Sequence, residues 1–194
     1  MTPKSAADVI NFGSGSNTFS LTFQAVGDVN NQANTFSTSN GSAAGIGSVA
    51  YSYGMGKFEI SQRMIDVYNT LYGAANVLVI DYLTTYDVGT DEAVTGITWN
   101  EAARFVNWLN ISKGFAPAYR MEPGIQGNIT PWTSTDLEDY DALNPYRSKR
   151  TIYALPTRNE WHKAAFYSPA LNGGAGGYYR YAVASDTAPT SVPR

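Results

Sequence analysis

The stretch Gly96-Ile97-Thr98-Trp99-Asn100-Glu101-Ala102-Ala103-Arg104-Phe105-Val106-Asn107-Trp108-Leu109 carries most of the fold information in this chain. Thr98 and Glu101 stand three apart and form a capping box. The threonine hydroxyl accepts from an unpaired helical N–H, and the glutamate reaches back to the cap's own amide. Behind it Ala102, Phe105, Val106 and Leu109 recur at i, i+3, i+4 and i+7, and Gly114 ends the run. Thr157-Arg158-Asn159-Glu160 repeats the device after Pro156, with Trp161, Ala164 and Ala165 expected on one face. Ser61 is expected to cap another helix, with Met64, Val67, Tyr68 and Leu71 as its stripe and Gly73 at its end. Each helix is about three turns long and depends on tertiary packing to persist.

Around these helices the period changes from 3.6 to two. Val9, Ile10 and Phe12 precede a turn over Gly13–Asn17, and Phe19, Leu21 and Phe23 follow on one face, so residues 8–26 read as a hairpin. Residues 27–47 are rich in Asn, Ser, Thr and Gly and read as a surface loop. Val49, Tyr51 and Tyr53 alternate as a strand does, with Gly54-Met55-Gly56 as a break before Phe58 and Ile60. Residues 115–150 are polar, dotted with aromatics and too long for a simple connection. Asn172 to Gly177 reads as a flexible tip and Tyr178-Tyr179-Arg180-Tyr181 as a strand. Without repeats or a clean linker, residues 1–194 read as a single α+β domain, divided into a hairpin and loop (1–47) and a main region (48–190).

Composition narrows the function classes. Of the 194 residues 43% are hydrophobic and only 15% charged, which excludes a disordered chain and a coiled coil. A net charge of −3 gives no field that draws phosphates, so no nucleic-acid partner is expected. No cysteine is present, which removes disulfides, thiolate nucleophiles and thiolate-bound metals. The single histidine, His162, excludes a two-histidine metal site. No apolar run is long enough for a signal-peptide core or a membrane span.

Four motifs in order carry a family resemblance. Tyr53-Gly54-Met55-Gly56-Lys57-Phe58-Glu59-Ile60-Ser61, the Gly96–Leu109 stretch, Tyr153-Ala154-Leu155-Pro156-Thr157-Arg158-Asn159-Glu160-Trp161-His162-Lys163-Ala164-Ala165, and the run from Tyr178 to Pro189 resemble the formylglycine-generating, or sulfatase-modifying factor, domain family. The last run is similar to secreted bacterial members. The resemblance spans roughly residues 48–190 and implies a C-type-lectin-like fold: a twisted antiparallel sheet, short helices and much irregular loop. In catalytic members a cysteine pair binds copper and oxidises a target cysteine. Those cysteines, with a G-N-V-W-E-W segment and a terminal G-F-R, lie in the second half of the family domain. This chain has none of them and stops about where that half would begin, so it reads as either a piece of a longer protein or a shortened variant.

Candidate site residues follow from the same pass. The glutamates of the capping boxes are explained by capping alone. Trp99, Trp108 and Trp161 sit at helical spacing and read as core, and His162 as a surface or half-buried helix residue. Trp132, in a polar loop between Pro131 and Thr133, is the candidate for stacking on a ligand, with Tyr140 and Tyr146 in the same loop. Asp136, Asp139 and Asp141, with Glu138 beside them, are candidate oxygen ligands for calcium, although they lack the glycine and spacing of an EF-hand. No other cofactor is expected. The leading expectation is a non-catalytic extracellular or cell-surface module that binds a glycan or protein, or associates with itself through an exposed sheet edge. The alternative is the N-terminal part of a formylglycine-generating-type oxidase.

Overall fold

The period-two pattern at the start of the chain produces β1 (Asp8–Ser14) and β2 (Asn17–Val26), which neighbour each other in a three-stranded sheet. Phe12, Phe19 and Leu21 are buried, as alternation requires. The computed structural model describes residues 8–39, 41, 44–83, 89–122 and 127–190. The second half of β2 pairs antiparallel with β3 (Tyr53–Gly56), in the register Phe23↔Gly56 to Val26↔Tyr53. Gly54-Met55-Gly56, expected as a break, therefore lies inside the strand. A Cβ at Gly54 would sit 3.3 Å from Phe23 Cβ, so the missing side chain makes room for the neighbouring strand. Val49 and Tyr51 fall outside β3.

The chain packs as two compact units: one from Thr22–Lys57 and the residues from Pro156 on, the other from Val9–Leu21 and Phe58–Leu155. The second unit holds α1 (Gln62–Tyr68), a π turn over Asn69–Gly73, α2 (Trp99–Ile111) and the small pair β4 (Arg120–Met121) and β5 (Ile129–Thr130). Its core is aromatic. Phe19 stacks on Phe12 at 5.6 Å and on Phe105 at 6.2 Å, and Tyr68 meets Phe105 and Trp108 edge-on at 5.9 and 5.6 Å. Each such side chain contributes about 1.5–3 kcal/mol by leaving water. A smaller cluster of Ala103, Val106, Ala118, Tyr119 and Ile129 lies along α2.

Two helix starts in this chain solve one problem differently. Thr98 caps α2 with the full box: its hydroxyl accepts from the Glu101 amide, and the Glu101 carboxylate accepts from the Thr98 amide at 2.7 Å. Burial alone would raise the Glu101 pKa. The Thr98 hydrogen bonds, aided by Arg104, lower it instead. Ser61, expected to do the same for α1, makes no side-chain cap. The first free amides there, Gln62 and Arg63, donate to the carbonyls of Glu92 (3.1 Å) and Thr90 (2.8 Å). Main chain has taken the place of a side chain. The buried face is not the expected stripe: Ile65, Val67 and Tyr68 are inside, whereas Met64 and Leu71, the latter in the π turn, are only half-buried.

The first unit adds α3 (Arg158–Phe166) and the pair β6 (Tyr167–Ser168) and β7 (Gly177–Tyr178), joined through a turn at Leu171–Gly174. Thr157 and Glu160 form the second capping box. The buried face of α3 is not the expected one: Glu160, His162, Lys163 and Phe166 point inward, and Trp161 is 45% exposed. Trp99, the first residue of α2, is also half-exposed, and only Trp108 of the three helical tryptophans belongs to the core. The strand expected over Tyr178–Tyr181 is shorter, ending at Tyr178, with an isolated bridge between Tyr181 and Ser185. Among the described residues, no helix is long and apolar enough to cross a membrane.

Candidate functional site

Two places in the molecule concentrate chemistry, one in each unit. In the second unit, α2 carries asparagines within its buried face. Asn107 donates to the Tyr119 carbonyl and accepts from the Tyr119 amide, both at 2.8 Å. Asn110 donates to the Tyr153 carbonyl at 2.8 Å and accepts from the Tyr153 amide at 3.0 Å. These paired bonds satisfy loop backbone that strands or helices would otherwise have to satisfy. They hold Tyr119 beside the helix, and Tyr119 Oη accepts from the Leu155 amide at 2.7 Å.

Beside Tyr119 opens a cavity of about 300 Å3 whose walls include Tyr72, Arg104, Asn107, Tyr119, Arg120 and Trp132. Trp132 is held from two sides: its amide donates to the Pro145 carbonyl at 2.7 Å, and Nε1 donates to the Ala118 carbonyl at 3.1 Å. The indole is thus locked as a wall with its polar edge satisfied. Tyr72 reaches the cavity from the π turn, which is anchored by Asn69 bonding both the amide and the carbonyl of Ile80 at 2.9 Å. Arg104 donates to the Gly127 carbonyl at 3.1 Å and lies 3.7 Å from Glu101.

The other loop candidates lie apart from that cavity wall. Tyr146 is 46% exposed, and its ring meets Trp99 edge-on at 5.8 Å, while Trp99 meets Tyr119 at 5.4 Å. Tyr140 is half-buried, its amide donating to the Asp136 carbonyl at 2.9 Å. The acidic candidates are separately engaged. Asp136 accepts from the Thr133 amide (2.7 Å) and hydroxyl (2.8 Å), which together with Arg120 lower its pKa. Asp139 accepts from the Arg150 guanidinium at 2.9 Å and from Ser148 at 2.6 Å, and Glu138 also pairs with Arg150. Asp141 accepts from the Leu143 amide at 2.9 Å. Among the described residues, no three acidic or histidine side chains converge as a metal-binding group.

The first unit holds a buried polar cluster that the sequence reading missed. His162, expected as a surface or half-buried helix residue, is fully buried, stacked on Phe166 at 4.9 Å and tilted against Tyr178 at 5.3 Å. Asn34 Nδ2 lies 3.3 Å from its Nε2, which assigns Nε2 the accepting role. Its Nδ1 has no hydrogen-bond partner among the described residues. Burial, and then the nearby Arg158 cation, lower the His162 pKa. Asn31 Nδ2 donates to Tyr178 Oη at 2.7 Å, and burial pushes that phenol up to about 12. Lys163 is buried and donates to the Asp28 carbonyl at 2.8 Å, while Glu160 accepts from Tyr51 Oη at 2.7 Å. Residues 28–34 of the Asn-rich loop supply much of this cluster. The signal available in sequence was a helix whose polar residues, Glu160 and His162-Lys163, interrupt the apolar spacing.

The model of the sulfatase-modifying factor enzyme 1-like domain matches residues 26–191. The chain belongs to that family. The match reaches further toward the N-terminus than the four motifs did, taking in the loop that carries Asn31 and Asn34. No curated protein and no solved structure matches the chain. In this sulfatase-modifying-factor-type domain the buried polar cluster ties loop 27–47 to α3, and the cavity beside Trp132 is the concave place where apolar walls and a few polar groups converge.

Proposed function

We propose that this domain is a non-catalytic binding module and that the cavity walled by Trp132, Tyr119 and Tyr72 receives its ligand. The observation that supports the reading is the cavity itself: about 300 Å3, at the lower end of the range of small-molecule sites, with rigid aromatic walls and a few fixed polar groups. The chain holds no cysteine, so its own residues supply no thiol for the oxidase chemistry that the family resemblance implies. A C-type-lectin-like scaffold and a place outside the cell belong to this reading as expectations. Calorimetric titration with the small neutral probe 3-phenylpropan-1-ol tests it. Saturable binding that is lost in Trp132→Ala, with thermal unfolding still cooperative, is expected. Equal binding to the variant overturns it. The oxidase alternative requires turnover of a cysteine peptide in the presence of copper, and none is expected.

A second reading rests on a cleft of about 550 Å3 in the same unit, lined by Asn11, Thr18, Ser20, Ser61, Arg63 and Asp91. Hydroxyls, an amide, a carboxylate and a guanidinium around one opening suit a polyhydroxylated ligand such as a glycan. Binding on a glycan array that Asp91→Asn abolishes supports it, and an array without signal removes it.

A further inference from the structure

We propose that the Trp132 cavity selects a small amphipathic carboxylate, with Arg120 and Arg104 as its specificity-determining residues. The inference rests on the binding reading above. Among the described residues that line the cavity, both charged side chains are arginines and none is a carboxylate. Neither arginine is tightly neutralised. Arg120 Nε is 3.9 Å from Asp136 Oδ2, and Arg104 Nη2 is 3.7 Å from Glu101 Oε1, both beyond hydrogen-bond length. Arg150 shows what a closed pair looks like in this molecule, with Asp139 at 2.9 Å.

The acids beside the two cavity arginines are also directed elsewhere. Asp136 Oδ2 accepts the Thr133 amide and hydroxyl, and Glu101 accepts from the Thr98 amide and hydroxyl. Arg104 spends donors on the Gly127 and Val79 carbonyls, the second at a long 3.4 Å. Its Nε, buried, has no partner among the described residues. A planar carboxylate matches the guanidinium fork, which a hydroxyl or an ammonium group does not. The rest of the wall sets the ligand's other end. Tyr72, Tyr119, Met121 and Trp132 favour an apolar or aromatic body. A volume of about 300 Å3 holds roughly ten waters at about 30 Å3 each, and so a ligand of about that many non-hydrogen atoms.

Calorimetric titration of the full chain with 3-phenylpropanoate and with 3-phenylpropanamide decides the matter, because the two differ only in charge and in one donor group. The carboxylate is expected to bind at least about tenfold more tightly, the scale of one hydrogen bond to a charged group. Arg120→Met is expected to remove that preference, bringing the carboxylate's affinity down to that of the amide. Arg158→Met, at an exposed arginine outside the cavity, is expected to change neither. Arg104 carries structural bonds, so Arg104→Met is read only if its unfolding remains cooperative. Equal affinity for the two probes, together with binding of neutral 3-phenylpropan-1-ol, overturns the carboxylate inference and leaves the binding reading standing. Failure of all three probes overturns both.

Discussion

At position 47 a side chain has nowhere to go. Gly47 has φ +94, and a Cβ there would lie 2.5 Å from Tyr178 Oη and 2.9 Å from His162 Cδ2. Gly47→Ala is therefore expected to cost at least about 2 kcal/mol, combining backbone strain with overpacking of a closed cluster. Gly15→Ala, at φ +59 and with open space around the site, is expected to cost only about 1–2 kcal/mol. Chemical denaturation of the two variants checks the difference, and equal losses would mean that the Tyr178–His162 wall yields. Glycine-rich composition announced a turn at Gly15. It could not announce the demand at Gly47, which arises from Tyr178 and His162, more than a hundred residues further along the chain. The place of Trp132 in a cavity wall follows from something simpler: an aromatic in a polar loop has few ways to be buried. The role proposed for Arg104 and Arg120 has no such local signal, because it depends on which acids turn away from them.

At the scale of elements, local chemistry was the most readable part of the sequence and packing faces the least. Both Thr–Glu capping boxes form as their spacing requires, since every group involved lies within four residues. Thr98→Ala and Thr157→Ala are each expected to cost about 1 kcal/mol. In a domain of this size that lowers the unfolding temperature by roughly 2–4 °C. Ser61→Ala is expected to cost less than either, because the α1 amides already have the Thr90 and Glu92 carbonyls. Thermal unfolding of the three variants checks the order, and a Ser61 loss equal to the others would contradict the main-chain cap. The face that α3 buries was misjudged for a physical reason. A helix with few strongly apolar residues turns toward whatever satisfies its polar ones, and Tyr51, Asn34 and Asp28 supply those partners for Glu160, His162 and Lys163.

For the molecule as a whole, the single histidine makes the two units unequal in acid. Above the ordinary histidine value near 6.5, His162 is neutral whether the chain is folded or not, and it has no effect on pH dependence. As pH falls below that value the unfolded chain takes a proton that the folded cluster resists. Asn34, Tyr178, Phe166 and the Arg158 and Lys163 cations offer the charged ring no acid. Stability of the first unit is then lost until pH passes the lowered folded value. Amide protection in α3 and β3, the exchange rate corrected for its intrinsic pH dependence, is expected to fall as pH drops below about 6.5, while α2, in a unit without histidine, changes less. Uniform loss of protection, or none, would contradict this. How the units are assembled was not legible in the sequence, because periodicity shows which face is apolar and not which distant segment covers it. That assembly has a kinetic side. The bonds Tyr51–Glu160, Asn34–His162 and Asn31–Tyr178 span 109, 128 and 147 residues. On a ribosome adding about 5–20 residues per second, Tyr51 waits roughly 5–20 s for its partner to be synthesised. Residues 31–51 thus emerge well before the helix and strand that satisfy their polar groups, and the nascent chain must keep them soluble in the meantime.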